Sequence, residues 1–214
     1  MQTLDDVAPS PASQPARTGR TAAARVLSEV FQPPFTTAAL LALSPAGSPG
    51  WPGTWWYGLV AVAFTCVLPF GILLALVRAG RVVDHHVSER SQRAPVLAMA
   101  LVCVLVGLGT LALAGAPAST LAMTTATVAG IALLAIVSLW WKLSGHASAV
   151  AAAALGTVLL LGPAWWPVLV VVPAVGWARV MLGAHTVGQV LAGFVVGPAV
   201  IVGLWWALLS LAGQ

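Results

Sequence analysis

Two short stretches of the chain place cations and imidazoles beside hydrocarbon. The first contains Lys142 and His146, and the second contains Arg179 and His185. Ionisable side chains next to apolar segments are costly to desolvate, so each is a functional candidate by default. Two cations with two imidazoles are the groups needed to hold a phosphate and to attack its phosphorus atom. The residue types therefore predict phosphoryl chemistry.

The second stretch combines a guanidinium with an imidazole at the start of an apolar segment. His185 lies six residues after Arg179. If a helix begins there, its free N–H groups and its positive dipole end favour a bound phosphate. A neutral His185 could attack phosphorus and form a phosphohistidine, while Arg179 binds two phosphoryl oxygens at once.

The first stretch offers complementary groups. Gly145 lets the backbone approach an anion, Ser144 offers a hydroxyl and an N–H, and Lys142 offers a point charge. His146 begins another predicted helix and could protonate a leaving alkoxide as a general acid. Because phosphoryl transfer depends mainly on positioning and charge stabilisation, we expect neither a metal nor another cofactor.

A third polar stretch precedes one of the apolar segments. Arg90 and Arg93 are spaced to lie on one side of a helical turn, so either could complete the anion clamp. Asp84 with His85 and His86 could instead bind a metal, although no second cluster of ligands completes a shell. A solvated basic loop that anchors the chain to lipid headgroups is the remaining alternative.

The composition requires a membrane around the chain. Of the 214 residues, 60% are hydrophobic and 7% are charged, whereas a soluble domain has about a quarter charged residues. The formal net charge of +4 comes from cations at predicted span ends and in loops. This distribution suits lipid headgroups or an anionic substrate and does not indicate nucleic acid.

Apolar runs of about twenty residues predict membrane-spanning helices. Such runs cover residues 55–77, 95–114, 121–141 and 186–211, and two shorter runs, 147–161 and 165–180, are separated by Gly162 and Pro163. Residues 26–43 contain Pro33 and Pro34 and form either a kinked span or an interfacial segment. We predict an all-α class, a polytopic transmembrane helical bundle with six or seven spans over residues 26–214. Residues 1–25 predict a disordered cytoplasmic tail.

The three polar stretches share one membrane face. Two predicted helices separate the first from the second, and two more separate the second from the third, so the chain returns to the same side each time. Arg78 and Arg81 lie in this set of loops. Because short loops rich in Lys and Arg stay in the cytoplasm, we expect the site on the cytoplasmic face.

These motifs resemble those of the type 2 phosphatidic acid phosphatase (PAP2) superfamily of membrane lipid phosphatases. That pattern is a basic stretch ending in Arg-Pro, then Pro-Ser-Gly-His, then Ser-Arg with a histidine six residues later and an aspartate four further on. This chain has Leu143 in place of the second motif's proline and Ala178 in place of the third motif's serine. Ala94 interrupts the first motif, and Gln189 replaces the aspartate.

The resemblance implies that His185 is the nucleophile and that His146 is the acid for the leaving group. It implies phosphate contacts from Arg179, Ser144, Gly145 and one of Arg90 or Arg93. Lys142 lies outside the family's positions, and its part in the clamp is our inference. Gln189 can accept a hydrogen bond from the imidazole but cannot supply a charge. Either activity is slower, or Asp84 or Glu89 supplies the carboxylate.

The implied function is a metal-independent phosphatase that hydrolyses a lipid phosphomonoester or diphosphate in a plasma membrane of bacterial type. The His-Thr-x-x-Gln pattern resembles the dolichyl diphosphatase branch and favours polyprenyl substrates. We expect lipid phosphate and the bilayer as partners, no nucleic acid, and predict no oligomeric state. Two alternatives stay open: a phosphotransferase that uses an alcohol instead of water, and a non-catalytic lipid-phosphate binder or transporter.

Overall fold

The computed structural model of the chain describes residues 19–47, 50–83 and 90–213. Within these ranges the regular structure is helical and contains no strand, which confirms the predicted all-α class. The helices are α1 (Gly19–Val30), α2 (Pro33–Leu43), α3 (Trp55–Val62), α4 (Leu68–Arg78), α5 (Arg90–Leu113), α6 (Ala118–Val137), α7 (Gly145–Leu161), α8 (Val171–Met181) and α9 (Val187–Leu211). A π-helical segment, Ala63–Val67, joins α3 to α4, and a 3-10 segment, Pro163–Val170, leads into α8.

Four helical stretches are long and apolar enough to cross a membrane. They are Trp55–Arg78, Ala118–Val137, Pro163–Met181 and Val187–Leu211, and the pair formed by α1 and α2 could supply a fifth. Six or seven spans were expected, and two further apolar stretches, Ala98–Leu113 within α5 and Gly145–Leu161, are shorter than these four. Helix α7 has 17 residues, fewer than the roughly 20 that cross the hydrocarbon core. The chain is therefore an all-helical protein with four or five candidate spans, as an integral membrane protein would have.

The N-terminal part is more ordered than its polar composition predicts. Helix α1 begins at Gly19, so residues 19–25 are helical although they were expected in the disordered tail. Alanine and arginine, which dominate this segment, both favour helix. Helix α2 then begins at Pro33, at an angle of 45° to α1. Proline cannot continue a preceding helix but suits a first helical turn, so residues 26–43 contain a bend. Whether this bent segment spans the membrane or lies at its interface stays open.

The closest helix packing in the site region joins α7 to α9. A Cβ atom added to Gly197 would lie 2.2 Å from the carbonyl oxygen of Ser148. One added to Gly193 would lie 2.9 Å from the carbonyl oxygen of Ser144. Only glycine allows the two backbones to approach this closely. Because both serines lie at the start of α7, the contact fixes the end of that helix where the predicted site lies.

A buried apolar cluster packs α7 and α9 against several other helices. It contains residues from α2, α3, α5, α6, α7 and α9, with Ala116 between helices: Leu40, Leu41, Ala61, Leu111, Ala116, Ala122, Met123, Ala126, Ala152, Ile201, Val202 and Trp205. Apolar burial within the protein thus holds α7 and α9 along their length, while their first turns remain available for polar contacts.

Candidate functional site

The start of α7 is defined by Ser144. This residue has an extended backbone, and its fully buried hydroxyl accepts a long hydrogen bond of 3.4 Å from the N–H of Ala147. A serine cap satisfies one of the unpaired N–H groups of a helix start. A Cβ at Gly145 would lie 3.1 Å from a methyl of Leu134, so this glycine also serves packing on α6. His146 lies in the first turn that follows.

A tight turn places His185 beside Arg179. Gly183 has a φ of +64°, and its N–H donates to the carbonyl oxygen of Val180 at 2.9 Å. The N–H of Ala184 donates to the carbonyl oxygen of Arg179 at 3.1 Å. These paired bonds form a Schellman motif, which favours glycine at the left-handed position. The N–H of His185 also donates to the Arg179 carbonyl, at 3.3 Å. Two residues that are six positions apart in the sequence are therefore in direct contact.

The start of α9 is closed by a capping box. The hydroxyl of Thr186 accepts from the N–H of Gln189 at 3.3 Å, and the side-chain oxygen of Gln189 accepts from the N–H of Thr186 at 3.1 Å. The Thr-x-x-Gln pattern before an apolar run is a sequence signal for this motif. The amide oxygen that was expected to orient His185 is thus engaged in the helix cap.

The two helix starts lie at the same end of the bundle. The N–H of Ser144 donates to the carbonyl oxygen of Gln189 at 3.4 Å, beside the close contact of Gly193 with α7. His146 follows the first of these residues and His185 precedes the second in the chain. Both imidazoles therefore lie at the positive dipole ends of neighbouring helices, where an anion is stabilised.

The surroundings of His185 favour its neutral form. Burial lowers the pKa of its imidazole below the usual 6.5, and the charges of Arg179 and Lys142 lower that pKa further. Weaker hydrogen-bonding contacts with the Gln189 side chain and the Lys142 backbone act in the opposite direction. Among the described residues, however, the buried Nδ1 atom of His185 has no hydrogen bond of ordinary geometry. The two cations thus lie close enough to act on a neutral ring.

Ser28 of α1 links two of the predicted site residues. Its hydroxyl accepts a short hydrogen bond from Nη1 of Arg179, and its carbonyl oxygen lies 3.2 Å from Nε2 of His146. Nε of Arg179 is buried and has no hydrogen-bond partner within the described ranges. Ser28 was not predicted as a site residue, because a serine in the last turn of a polar helix carries no local signal of such contacts.

His146 and Arg179 line a groove of about 870 Å³. Its remaining lining residues are Arg25, Ser28, Glu29, Gln32, Pro33, Pro34, Phe35, Phe70, Leu73 and Leu182. A neighbouring apolar cavity of about 290 Å³ shares four of these residues, namely Pro33, Pro34, Phe70 and Leu73. A polar space at two site residues therefore continues into an apolar space between α2, α4, α5 and α6.

The other predicted residues contribute less to the described site. Lys142 is exposed in the loop before α7 and acts on His185 through its charge and its backbone. Six residues fall outside the described part of the chain, or have side chains that do: Asp84, His85, His86, Glu89, Arg90 and Arg93. The third part of the anion clamp, the metal alternative and the substitute carboxylate all stay predictions.

Comparisons of the chain with protein-family models, curated proteins and solved structures give no match. The resemblance to the PAP2 superfamily accordingly rests on the motif residues themselves. In the described part of the chain these residues lie at the start of α7 and in the turn between α8 and α9.

Proposed function

We propose that the chain is an integral membrane lipid phosphatase of the PAP2 type, acting through a phosphohistidine without a metal. One arrangement carries the proposal: His185 lies beside Arg179 at a junction of two helix N-termini. Burial and the charges of Arg179 and Lys142 lower the pKa of its imidazole and so favour the neutral form. A phosphoryl group needs fixed positive charge around it and an uncharged nucleophile beside it. The buried, unpaired Nε of Arg179 supports an anionic ligand, because buried donors are rarely left without an acceptor.

In the proposed reaction, His185 attacks phosphorus and a phosphorus–nitrogen bond forms as the bond to the lipid oxygen breaks. Since Nδ1 of His185 is buried, the attacking atom is Nε2. Protonated His146 transfers a proton to the departing oxygen and later accepts one from the water that hydrolyses the phosphohistidine. Arg179 holds the phosphoryl oxygens throughout, with Lys142 as an additional charge.

A lipid substrate fits the continuity between the polar groove and the apolar cavity beside it. The phosphate would lie at His146 and Arg179, and the chain would extend past Phe70 and Leu73. His185 is not among the residues that line this groove, so in this proposal it attacks from the adjoining turn before α9. The Thr-x-x-Gln resemblance favours a polyprenyl phosphate or diphosphate. In this proposal α5 and α7 also cross the membrane, giving six or seven spans, and the site faces the cytoplasm from a plasma membrane of bacterial type.

The test is phosphate release by the purified protein with a chelator present. Polyprenyl phosphate, polyprenyl diphosphate, phosphatidic acid and phosphatidylglycerol phosphate would be compared. We expect Arg179→Gln to lower kcat/KM by about 10²- to 10³-fold, the usual cost of losing an oxyanion donor. Arg78→Gln is the matched control, because Arg78 also lies in the last turn of an apolar helix but is exposed. No release from any substrate, or equal losses in both variants, would contradict the proposal.

A non-catalytic lipid-phosphate binder or transporter is the second candidate, and one observation favours it. Among the described residues, no carboxylate acts on the pKa of His185, and the Gln189 oxygen is engaged in the helix cap. Glu29 lines the groove at His146 and Arg179 but is not one of the groups acting on His185, so within the described ranges a phosphorylated imidazole would lack a paired carboxylate. This candidate predicts that the protein binds lipid phosphate without releasing phosphate, and that Gln189→Asp does not induce release.

A further inference from the structure

We propose that Ser28 is a positioning residue of this site, which makes α1 part of the catalytic apparatus; this rests on the phosphatase function proposed above. Ser28 accepts a hydrogen bond from Arg179 through its side chain and contacts His146 through its backbone. Ser28 thus positions Arg179, which is proposed to hold the phosphate, relative to His146, which is proposed to protonate the leaving oxygen. Ser28 lies 151 residues from Arg179 and 118 residues from His146 in the sequence, so both contacts depend on the tertiary fold.

The face of α1 explains how Ser28 reaches the site. Ala24 and Ser28 are the two buried residues of this helix and lie one turn apart, where α1 packs against α8. Ala24 is completely buried, so its small side chain determines how closely α1 approaches. Arg25 and Glu29 are exposed on the same helix and line the groove. Helix α1 therefore forms one wall of the space that the substrate would occupy.

The position of Ser28 in its helix explains why its carbonyl is available. The last four carbonyl groups of a helix have no partner within it, and Ser28 lies two residues before the end of α1 at Val30. A helix C-terminus also carries a partial negative charge, which favours nearby cations. The end of α1 therefore stabilises Arg179 and a protonated His146, while the N-termini of α7 and α9 favour the phosphate.

The contact with Arg179 fixes the direction of a side chain that has five donors. A guanidinium is a planar fork, so holding Nη1 at Ser28 fixes where Nε and the remaining N–H groups point. Nε is buried and unpaired among the described residues, so in the proposed reaction the phosphoryl group is held by the terminal N–H groups that Ser28 leaves free. Without the serine hydroxyl the fork can rotate, and a misplacement of about 1 Å can reduce a rate by about 100-fold.

Four variants of the full-length protein separate positioning from folding. Ser28→Ala removes the hydroxyl and keeps the carbonyl, and Ser28→Thr keeps both. Ala24→Leu forces α1 away from α8 and removes both contacts, whereas Ala23→Leu places the same side chain at an exposed position of the same helix. Two quantities would be measured for each variant: kcat and KM for phosphate release, and the affinity for inorganic phosphate.

We expect Ser28→Ala to lower kcat by about 10- to 100-fold with a much smaller change in KM, because misorientation affects the transition state most. Its affinity for inorganic phosphate should fall about tenfold, because the hydrogen bond that holds the charged Arg179 side chain in place is lost. Ser28→Thr should restore both quantities. Ala24→Leu should lose more activity than Ser28→Ala, and Ala23→Leu should match the wild type.

The outcomes distinguish this proposal from the phosphatase assignment. If the wild type releases phosphate and Ser28→Ala does so equally fast, the positioning role is refuted and the phosphatase stands. If the wild type binds phosphate without releasing it, and Ser28→Ala weakens that binding with rescue by Thr, the phosphatase assignment fails and the role of Ser28 stands. If Ser28→Ala does not fold, the comparison of Ala24→Leu with Ala23→Leu replaces it. Equal kcat, KM and phosphate affinity in these two variants would refute the positioning role.

Discussion

Helices α7 and α9 approach each other through glycine, whereas α1 reaches the site through a single serine. Gly193 and Gly197 bring the backbones of α7 and α9 so close that no side chain fits between them. Ser28 contributes a polar contact from a helix that is otherwise largely exposed and is bent by 45° from its neighbour α2. The nucleophile side of the site is therefore held by close packing, and the α1 side by hydrogen bonds.

This difference separates two requirements of the proposed reaction. His185 must stay within reach of fixed charges, which calls for a rigid junction. A lipid must also enter the groove, and the wall formed by α1 and the start of α2 is the part with fewer buried apolar contacts. Segments with few buried contacts open at low free-energy cost, so lipid access is assigned to the α1 wall. That wall also carries the contacts of Ser28 with Arg179 and His146, whereas His185 is held at the junction next to α7 and α9.

The largest effect is expected from the two imidazoles. His185→Ala should abolish phosphate release, by at least about 10³-fold, because no nucleophile remains. His146→Ala should cost about 10²- to 10⁴-fold on a lipid phosphate. On an aryl phosphate, whose leaving group needs no proton, formation of the phosphohistidine should survive in His146→Ala and not in His185→Ala. Equal behaviour of the two variants on both substrates would contradict the assigned roles.

The rigid junction is tested by Gly197→Ala. The added methyl would clash with the backbone of Ser148, and overpacking of this kind costs about 1–3 kcal/mol. We expect a lower melting temperature in detergent together with reduced activity. Gly203→Ala is the control on the same helix, because a Cβ there meets nothing within 4 Å and alanine favours helix by about 1 kcal/mol. A stable, fully active Gly197→Ala protein would argue against the rigid junction.

A smaller effect is expected from Gly183→Ala. Its left-handed φ of +64° costs a residue with a Cβ about 1–2 kcal/mol, and relaxation of the turn would move His185 away from Arg179. Activity should fall about tenfold with a modest loss of stability, measured by thermal unfolding and phosphate release. Gly188→Ala, at an open helical position of α9, should change neither. Identical kinetics for the two variants would show that the turn does not place the nucleophile.

The smallest effect concerns pH. Because burial and two cations lower the pKa of His185, the ring stays neutral to lower pH than an ordinary histidine. Activity lost through protonation of the nucleophile should therefore decline only below the usual 6.5. Gln189→Glu keeps the capping box and adds a negative charge, so the acid limb of kcat/KM should move to higher pH by about one unit. An acid limb that stays in place would show that position 189 does not act on the imidazole.

The sequence predicts the local features of the site better than the tertiary ones. Helix starts next to His146 and His185 were expected and are present at Gly145 and Val187, because caps are encoded by neighbouring residues. Gln189 was predicted to contact the imidazole, and its side chain does form a hydrogen-bonding contact with His185. Its second role, in the capping box that begins at Thr186, was encoded just as locally but was not predicted. Capping and catalysis favour the same residue types at a helix start, so spacing alone does not separate them.

The contribution of α1 could not be predicted in the same way. Its polar composition indicates a tail, and only the packing of α1 against α8 brings Ser28 to Arg179. Such contacts depend on the relative placement of whole helices, which the local pattern does not determine. The number of spans was less predictable for a related reason, since α7 is shorter than a full membrane crossing.

The most direct test is to locate the phosphoryl group on the enzyme. His146→Ala would be mixed with an aryl phosphate, quenched in alkali to preserve phosphohistidine, digested and examined by mass spectrometry. Because this variant forms the intermediate but lacks the group that activates water, a phosphoryl adduct should accumulate on His185. An unmodified His185, or an adduct on another residue that persists in His185→Ala, would contradict the account.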